Sequence, residues 1–413
     1  MKVEHERCCG IDVHKETVVA CVIVMSEAGE VKKETRTFGT MTGDLQALGV
    51  WLKELNVKQI AIESTGVYWK PVYNLLEGQF EIMVVNPERI KALKGKKTDV
   101  QDAEWIADLL RHGLLKGSFI PDALQRELRD LTRYRTTLVD ERTRFVNRVQ
   151  KVLEDANIKL SGVATDVMGQ SARAMLAQLI EGKTDAAAMA ELAKGKLRKK
   201  QALLEKALTG RVNDHHRFML SQLLSQIDGL DESIEALDAR IAERIHPFEA
   251  QIQRWDQLPG INVRLAQNII AEVGGTLKQF QDADHLSSWA GMCPGNNESA
   301  GKRKSGKTRK GSKWLRRALT EAAHGAARTK DKYFQSMFRR IAAKRGKKRA
   351  AIAVGHSLLV TGYHMITRQT DYADLGANHY VERDREGAKR RAVKKLQQLG
   401  FEVQLAPVSA TPA

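Results

Sequence analysis

The sequence predicts an α/β domain at the N-terminal end, then a long helical coiled-coil insert, then a mostly helical second domain. Three observations carry this reading. Over residues 1–119 β-branched runs alternate with helical stretches, heptad-like apolar stripes run over about 121–152 and 220–241, and after Pro247 short helical segments are punctuated by Pro-Gly and Gly-rich turns. A chain of 413 residues is long enough for two to three domains. The boundaries read as 1–119, 120–250 and 251–385, with a basic, flexible tail over 386–413.

The strands come first. Cys8 to Val13, Thr17 to Met25, Val31 to Phe38, Gln59 to Ile62 and Glu81 to Val85 are β-branched runs bounded by turn residues. Short turns join the first three, which suits an antiparallel meander; the longer spacing of the last two suits parallel crossovers through helices. A three-layer domain with a mixed five-stranded sheet follows.

From Pro121 to about Val152 apolar residues fall at 124, 128, 131, 138, 145, 149 and 152, with Arg135 and Arg142 at two positions of the same stripe. This is a long basic helix, and its span from Arg126 to Arg148 suits the backbone of a nucleic-acid duplex. Leu220, Leu223, Ile227, Leu230, Ile234, Leu237 and Ile241 form a cleaner seam over three heptads. Between them, Ser161 to Thr209 reads as shorter helices and linkers. The two long helices pair as an antiparallel hairpin or serve as a dimerisation arm. Beyond Pro247, DQLPGINVRLAQNIIAEVG places a Pro-Gly turn between helical segments, a helix-hairpin-helix-like element whose backbone N–H groups can hold a DNA phosphate.

Composition narrows the function. With 42% hydrophobic and 28% charged residues the chain is a globular mixture rather than a disordered one. The most apolar segments, Val18 to Met25 and Ala350 to Ile366, fall short of about 20 clean apolar residues, the second being broken by Gly355, His356, Gly362 and His364. The opening MKVEHERCC has no apolar signal core, and Cys8, Cys9, Cys21 and Cys293 form no zinc spacing, so a cytoplasmic, reducing setting is expected. The charge is concentrated. Residues 301–349 hold 19 Lys or Arg against Glu321 and Asp331, and so carry the whole formal charge of +17. A Gly- and Ser-punctuated run there, with Lys302, Arg303, Lys304, Lys307, Arg309, Lys310, Arg316 and Arg317, is the expected footprint of nucleic-acid phosphates.

Four acids carry the chemistry. Asp12 ends the apolar strand CCGIDV and Glu63 ends QIAIE, where an unpaired charge is disfavoured. If the fourth strand lies beside the first, the two carboxylates become neighbours, and a divalent cation removes their repulsion. Mg²⁺, or Mn²⁺, suits such oxygen donors while keeping sites for phosphate oxygens. Asp99 and Asp102, three apart on one helix face, complete the set; Asp108 falls farther round. Such a site performs phosphoryl transfer.

GIDVHKET, AIESTGVYWKPVYNLL and VVNPERIKALKGKKTDVQDAEWIADLL resemble the RuvC-like, RNase H-like domain of the insertion-sequence 110 family of transposases, with Asp12, Glu63, Asp99 and Asp102 matching its Asp-Glu-Asp-Asp set. The stretch from LPGIN through FQDADHLSSWAGMCPGNNESAGKRKSGKTRKGSKWLRRALTEAA is similar to that family's C-terminal transposase domain, and RGKKRAAIAVGHSLLVTGYHMI to its closing helix. The likeness covers about 1–119 and 251–375.

The resemblance implies a DNA recombinase in which a serine of the second domain acts beside the acids. The match falls on Ser299, although Ser-Ala-Gly replaces the usual Ser-Gly and leaves Ser305 as the other choice. It further implies donor and target DNA as substrates, an element-encoded bridge RNA as guide, and dimers that pair into tetramers, for which the Leu220 to Ile241 seam is a candidate interface. A hydrolytic junction nuclease using water is the second reading. An actin-like nucleotide-binding domain is the third, opposed by Val-His-Lys after Asp12 where a Gly-rich phosphate turn would stand.

Overall fold

The computed structural model describes residues 3–25, 30–87, 99–294, 297–299, 302–308 and 310–405. They divide into two compact units, Met1–Pro121 and Asp122–Ala413.

The first unit is a sheet covered on both faces. Its elements are β1 (Arg7–Val13), β2 (Thr17–Met25), β3 (Val31–Gly39), α1 (Thr42–Glu54), β4 (Gln59–Glu63), α2 (Trp69–Leu76), β5 (Glu81–Val85) and α3 (Asp99–Arg111). The strand order is β3-β2-β1-β4-β5. β1, β2 and β3 run antiparallel, and β4 and β5 continue parallel to β1. This is the mixed five-stranded sheet the sequence predicts.

Strand alternation sorts the core into two layers. Cys9, Ile11 and Val13 pack with Leu48, Trp51, Leu52 and Leu76 of α1 and α2. Cys8, Cys21 and Ala61 pack with Ala103, Ile106 and Ala107 of α3 on the other face. Gly10 is required there, because a Cβ would stand 2.3 Å from the Ala107 nitrogen and 2.4 Å from the Ala103 oxygen. Burial pushes the Cys8 thiol up to about 12 and raises Cys9 and Cys21 as well, so these thiols are core fillers rather than nucleophiles.

The second unit is helical apart from one hairpin. It opens with α4 (Ala123–Asp155), continues through α5 (Leu160–Val163), α6 (Gln170–Ile180), α7 (Ala186–Glu191) and α8 (Gln201–Leu208), and returns in α9 (Asp214–Ile245). There follow α10 (Glu249–Asp256), α11 (Val263–Val273), α12 (Ala283–Trp289), β6 (Asn297–Ser299), β7 (Lys302–Ser305), α13 (Lys313–Ala326), α14 (Tyr333–Arg345), α15 (Lys347–Arg368), α16 (His379–Arg383) and α17 (Arg385–Gln398).

α4 and α9 pair antiparallel within the chain. Polar contacts mark the register along their length: His216 with Asp155 at 2.9 Å, Arg142 with Asp231, Arg135 with Asp238 at 2.7 Å, and Arg244 with Glu127 at 3.2 Å. The two arginines of the α4 stripe are therefore ion-pair partners across the helix pair. Arg129 and Arg133 are engaged too, on the Glu272 carbonyl and carboxylate of α11, so four arginines of the expected duplex-binding helix are committed inside the unit. Leu220, Leu223, Ile227, Ile234 and Ile241 are buried in this chain's own core, as the antiparallel-hairpin alternative expects.

The shorter helices expected over 161–209 are present, and three packing features complete the unit. Residues expected to be shorter helices and linkers form a lobe with its own core, in which Leu160, Met175, Leu176, Met189 and Leu204 close on Val149, Leu153, Leu220 and Ile227. The expected flexible tail contains α17, capped by Asp384 accepting from the Gly387 N–H at 3.1 Å. The expected boundary near 250 is no break in the core, since Leu128, Ile241 and Ile245 pack with Trp255, Ile269, Leu319 and Leu358. α15, the helix among the described residues long and apolar enough to cross a membrane, buries Ala350, Val354 and Leu358 in that core.

Arg135 is 2% exposed and donates to Asp238, Gln267 and Asn268, while Asp238 also binds Arg264. Asp238→Ala strands that buried guanidinium, and destabilisation of about 3 kcal/mol is expected in urea unfolding followed by helical circular dichroism. Arg135→Met, which leaves no buried charge, costs less. A reversed order would show that the pair does not anchor the two helices.

Candidate active site and nucleic-acid interface

The acids of the first unit collect at one end of the sheet. β1 and β4 are in parallel register from Cys8 with Gln59 to Ile11 with Ile62, so one further step sets Asp12 beside Glu63. Alternation puts both on the face that Cys8, Gly10 and Ala61 turn toward α3.

α3 runs opposite to β1. The Arg111 carbonyl accepts from the N–H groups of Glu4 and His5, the Cys8 thiol donates to the Ala107 carbonyl at 3.5 Å, and Gly10 lies against Ala103 and Ala107. Two strand residues beyond Gly10 cover about 6.6 Å, or about four residues of helix, which brings Asp12 level with the first turn of α3. Asp99 and Asp102 lie in that turn.

Asp12 is buried at 5% exposure, and Glu63 and Asp102 are half-buried. The Asp99 side chain lies outside the described residues. Asp108 sits lower on α3 and faces His112 at 3.8 Å. Among the described residues, no group of three or more His, Cys, Asp or Glu is arranged to hold a metal ion. The strand register sets Asp12 and Glu63 side by side, and their carboxylate oxygens are donors of the kind a divalent cation such as Mg²⁺ takes.

His14 was not singled out by sequence reasoning. Its Nε2 lies 3.0 Å from Asp12 Oδ2. The signal was the i, i+2 spacing in DVH, which returns a side chain to the same face of an extended chain.

The candidate serine lies in the second unit. Ser299 closes β6 and pairs with Lys302 of β7, while Ser305 pairs with Asn297. The side chains of Ser299, Lys302, Arg303, Lys304 and Ser305, and the whole of Arg309, lie outside the described residues. Lys307 and Lys310 are exposed. Arg316 and Arg317, expected as phosphate ligands, are engaged on protein groups: Arg316 donates to the Gly291 carbonyl at 2.9 Å and to Thr308 Oγ1, and Arg317 grips the Asp140 carboxylate with both terminal nitrogens. That contact holds the Asp140 carboxyl below its usual range.

A cavity of about 130 Å³ between α4, α11 and α13 is lined by Arg133, Arg135, Arg264 and Arg317. Its positive charge is offset by Glu272, Asp238 and Asp140, their partners. Elsewhere, Cys293 Sγ lies 3.9 Å from His356 Nδ1. Burial raises that thiol and lowers that imidazole, which keeps both neutral and argues against a thiolate nucleophile. The Pro-Gly turn joins α10 to α11, with Gly260 at φ +85° and Asn262 capping α11 by accepting from the Leu265 N–H at 2.9 Å.

Comparison with known proteins gives matches in both units. Residues 9–158 match the DEDD transposase family model of IS110, and residues 253–339 match the Transposase IS116/IS110/IS902 family. A probable family 20 transposase of Pseudomonas aeruginosa is 21% identical over 324 residues, covering 76% of this chain and 85% of that protein. The uncharacterized 42 kDa protein of insertion element IS900 from Mycobacterium paratuberculosis is 30% identical, over 54% of this chain and 59% of its own length. The 44.8 kDa protein of insertion element IS116 from Streptomyces clavuligerus is 29% identical, over 49% and 54%. The chain thus spans little more than half of these two insertion-element proteins. Among solved structures, Thermus thermophilus RuvC aligns at TM-score 0.22 and 16% identity, over 27% of this chain and 99% of that one. RuvC in complex with a Holliday junction substrate aligns at TM-score 0.22 and 13% identity with the same coverage.

Proposed function

Because this chain belongs to the IS110 family of transposases, enzymes that cleave and rejoin DNA, we propose that it does so by metal-assisted phosphoryl transfer with Ser299 as nucleophile. The metal half is supported by the parallel register of β1 with β4, which extended by one residue sets Asp12 beside Glu63, and by the position of Asp99 and Asp102 in the first turn of α3. A RuvC-like arrangement of four carboxylates is the reading that best accounts for acids placed at the edge of an otherwise apolar sheet face. These residues would hold Mg²⁺ or Mn²⁺, which when bound supplies positive charge to the scissile phosphate and lowers the cost of charge on the attacking and leaving oxygens. Asp12, whose Oδ2 lies 3.0 Å from His14 Nε2, is more buried than Glu63 or Asp102.

In the strand-cleavage step the Ser299 oxygen forms a bond to phosphorus, the P–O3′ bond breaks, and the 3′-hydroxyl leaves with a proton. The phosphoserine keeps the ester energy, so a 3′-hydroxyl of another strand reverses the step and regenerates the serine without an external energy source. Lys302, Arg303 and Lys304, next to Ser299 in the chain, supply charge for the phosphate. The basic window and the α10–α11 turn support backbone contacts with DNA. Family membership supports a bridge RNA as guide and a dimer assembling to a tetramer; a discrete RNA encoded beside the gene and copurifying with the protein is the expected finding.

Two measurements check this account. Strand cleavage of branched DNA by the full chain stops in chelator and returns with Mg²⁺ or Mn²⁺; cleavage that persists without divalent cations would overturn the metal half. Neutralising Lys302, Arg303 and Lys304 together weakens DNA binding and lowers the slope of log affinity against log salt by about 3. An unchanged slope would remove these side chains from the interface.

A further inference from the structure

The short hairpin that carries Ser299 has little to hold it by itself. β6 has three residues and β7 four, with an irregularity at Asn297 and Glu298. An isolated hairpin of this size is marginal in water. Its position must therefore be set where it joins the fold.

That junction is closed in three ways. Gly311 lies against the backbone of Ala290 and Gly291, where a Cβ would stand 2.4 Å from the Ala290 carbonyl carbon. Pro294 and Thr308 form an antiparallel bridge. Above both, the Arg316 guanidinium reaches the chain on each side, donating to the Gly291 carbonyl before the hairpin and to Thr308 Oγ1 after it. Arg316 stands on a firm post. α13 buries Leu315 and Leu319 completely and is capped by Ser312, which accepts from the Leu315 N–H and donates to buried Glu272.

We propose that Arg316 is a positioning residue that fixes the Ser299 hairpin by bridging its two stems, rather than a ligand for DNA phosphate. A planar guanidinium reaches two separated acceptors at once, which a lysine ammonium on a flexible stem does far less well. The catalytic consequence rests on Ser299 being the nucleophile; the clamp itself does not.

The test uses the full chain carrying Arg316→Gln, Thr308→Val, or both. Amide hydrogen exchange over 297–305 should quicken about tenfold in Arg316→Gln while α13 keeps its protection, because one charged hydrogen-bonded contact is lost. The rate of covalent adduct formation at saturating DNA should fall about 10- to 100-fold, the cost of a small misplacement of a reacting group. DNA affinity and its salt slope should stay unchanged. Thr308→Val should give a weaker form of the same defect, and the double variant should be no worse than Arg316→Gln alone; it also serves where Arg316→Gln loosens α13. Unchanged hairpin exchange, additive defects, or a reduced salt slope with a normal adduct rate at saturation would overturn the proposal. Should the unaltered protein form no adduct at Ser299, the nucleophile assignment fails while the exchange measurement still decides the clamp.

Discussion

Asp12→Asn and Glu63→Gln should each lower DNA strand cleavage by roughly a thousandfold or more, the several kcal/mol that a divalent cation contributes to a phosphoryl-transfer transition state. Both substitutions keep side-chain volume and remove one charge. Asp12 is buried with its Oδ2 3.0 Å from His14 Nε2, a contact that the amide oxygen of an asparagine can still accept. Nucleic-acid binding should stay within about twofold, because affinity comes from Lys and Arg on phosphates and these acids add nothing to it. The expected pattern is a folded, binding-competent and cleavage-dead protein. Loss of the circular dichroism signal or of binding would instead assign the two acids a structural role.

Ser299→Ala should abolish strand exchange, by about four orders of magnitude or more, since removing a nucleophile leaves only binding and electrostatic effects. Ser305→Ala is the matching control. The two serines stand on opposite strands of the same hairpin, so a general disturbance of the hairpin would affect both variants alike. Loss of activity in Ser305→Ala alone would move the nucleophile to β7. Retained cleavage in both variants would favour attack by water.

Local pattern made much of this molecule legible. All five strands are legible within a residue or so: β1 and β2 as apolar runs buried on both faces, and the exposed edge strand β3 by its Val and Thr residues between turns. The neighbouring of Asp12 and Glu63 depends on the fourth strand lying beside the first, which it does. Long-range pairing stayed hidden. Arg135 and Arg142 read as a basic stripe because their partners, Asp238 and Asp231, lie about a hundred residues on, beyond any local periodicity.

The protein partners of Arg316 and Arg317 are hidden from the sequence for the same reason. Their acceptors, Gly291, Thr308 and Asp140, become visible only once α13 is packed. The short helices over 160–208 are legible, but the core they share is not, because they bury their apolar faces only against one another and the ends of α4 and α9. α17 was missed because it has no apolar stripe; good helix formers and the Asp384 cap account for it without core burial.

The proposed mechanism turns on a covalent bond from Ser299 to DNA phosphorus. It is tested most directly by trapping the full chain on a nicked suicide substrate, digesting the product and locating the modified peptide by mass spectrometry. The account expects a phosphodiester-linked nucleotide on Ser299 and a free 3′-hydroxyl on the released strand, both absent without divalent cation. Strand cleavage with no protein-linked DNA, or an adduct that persists in Ser299→Ala, would contradict it.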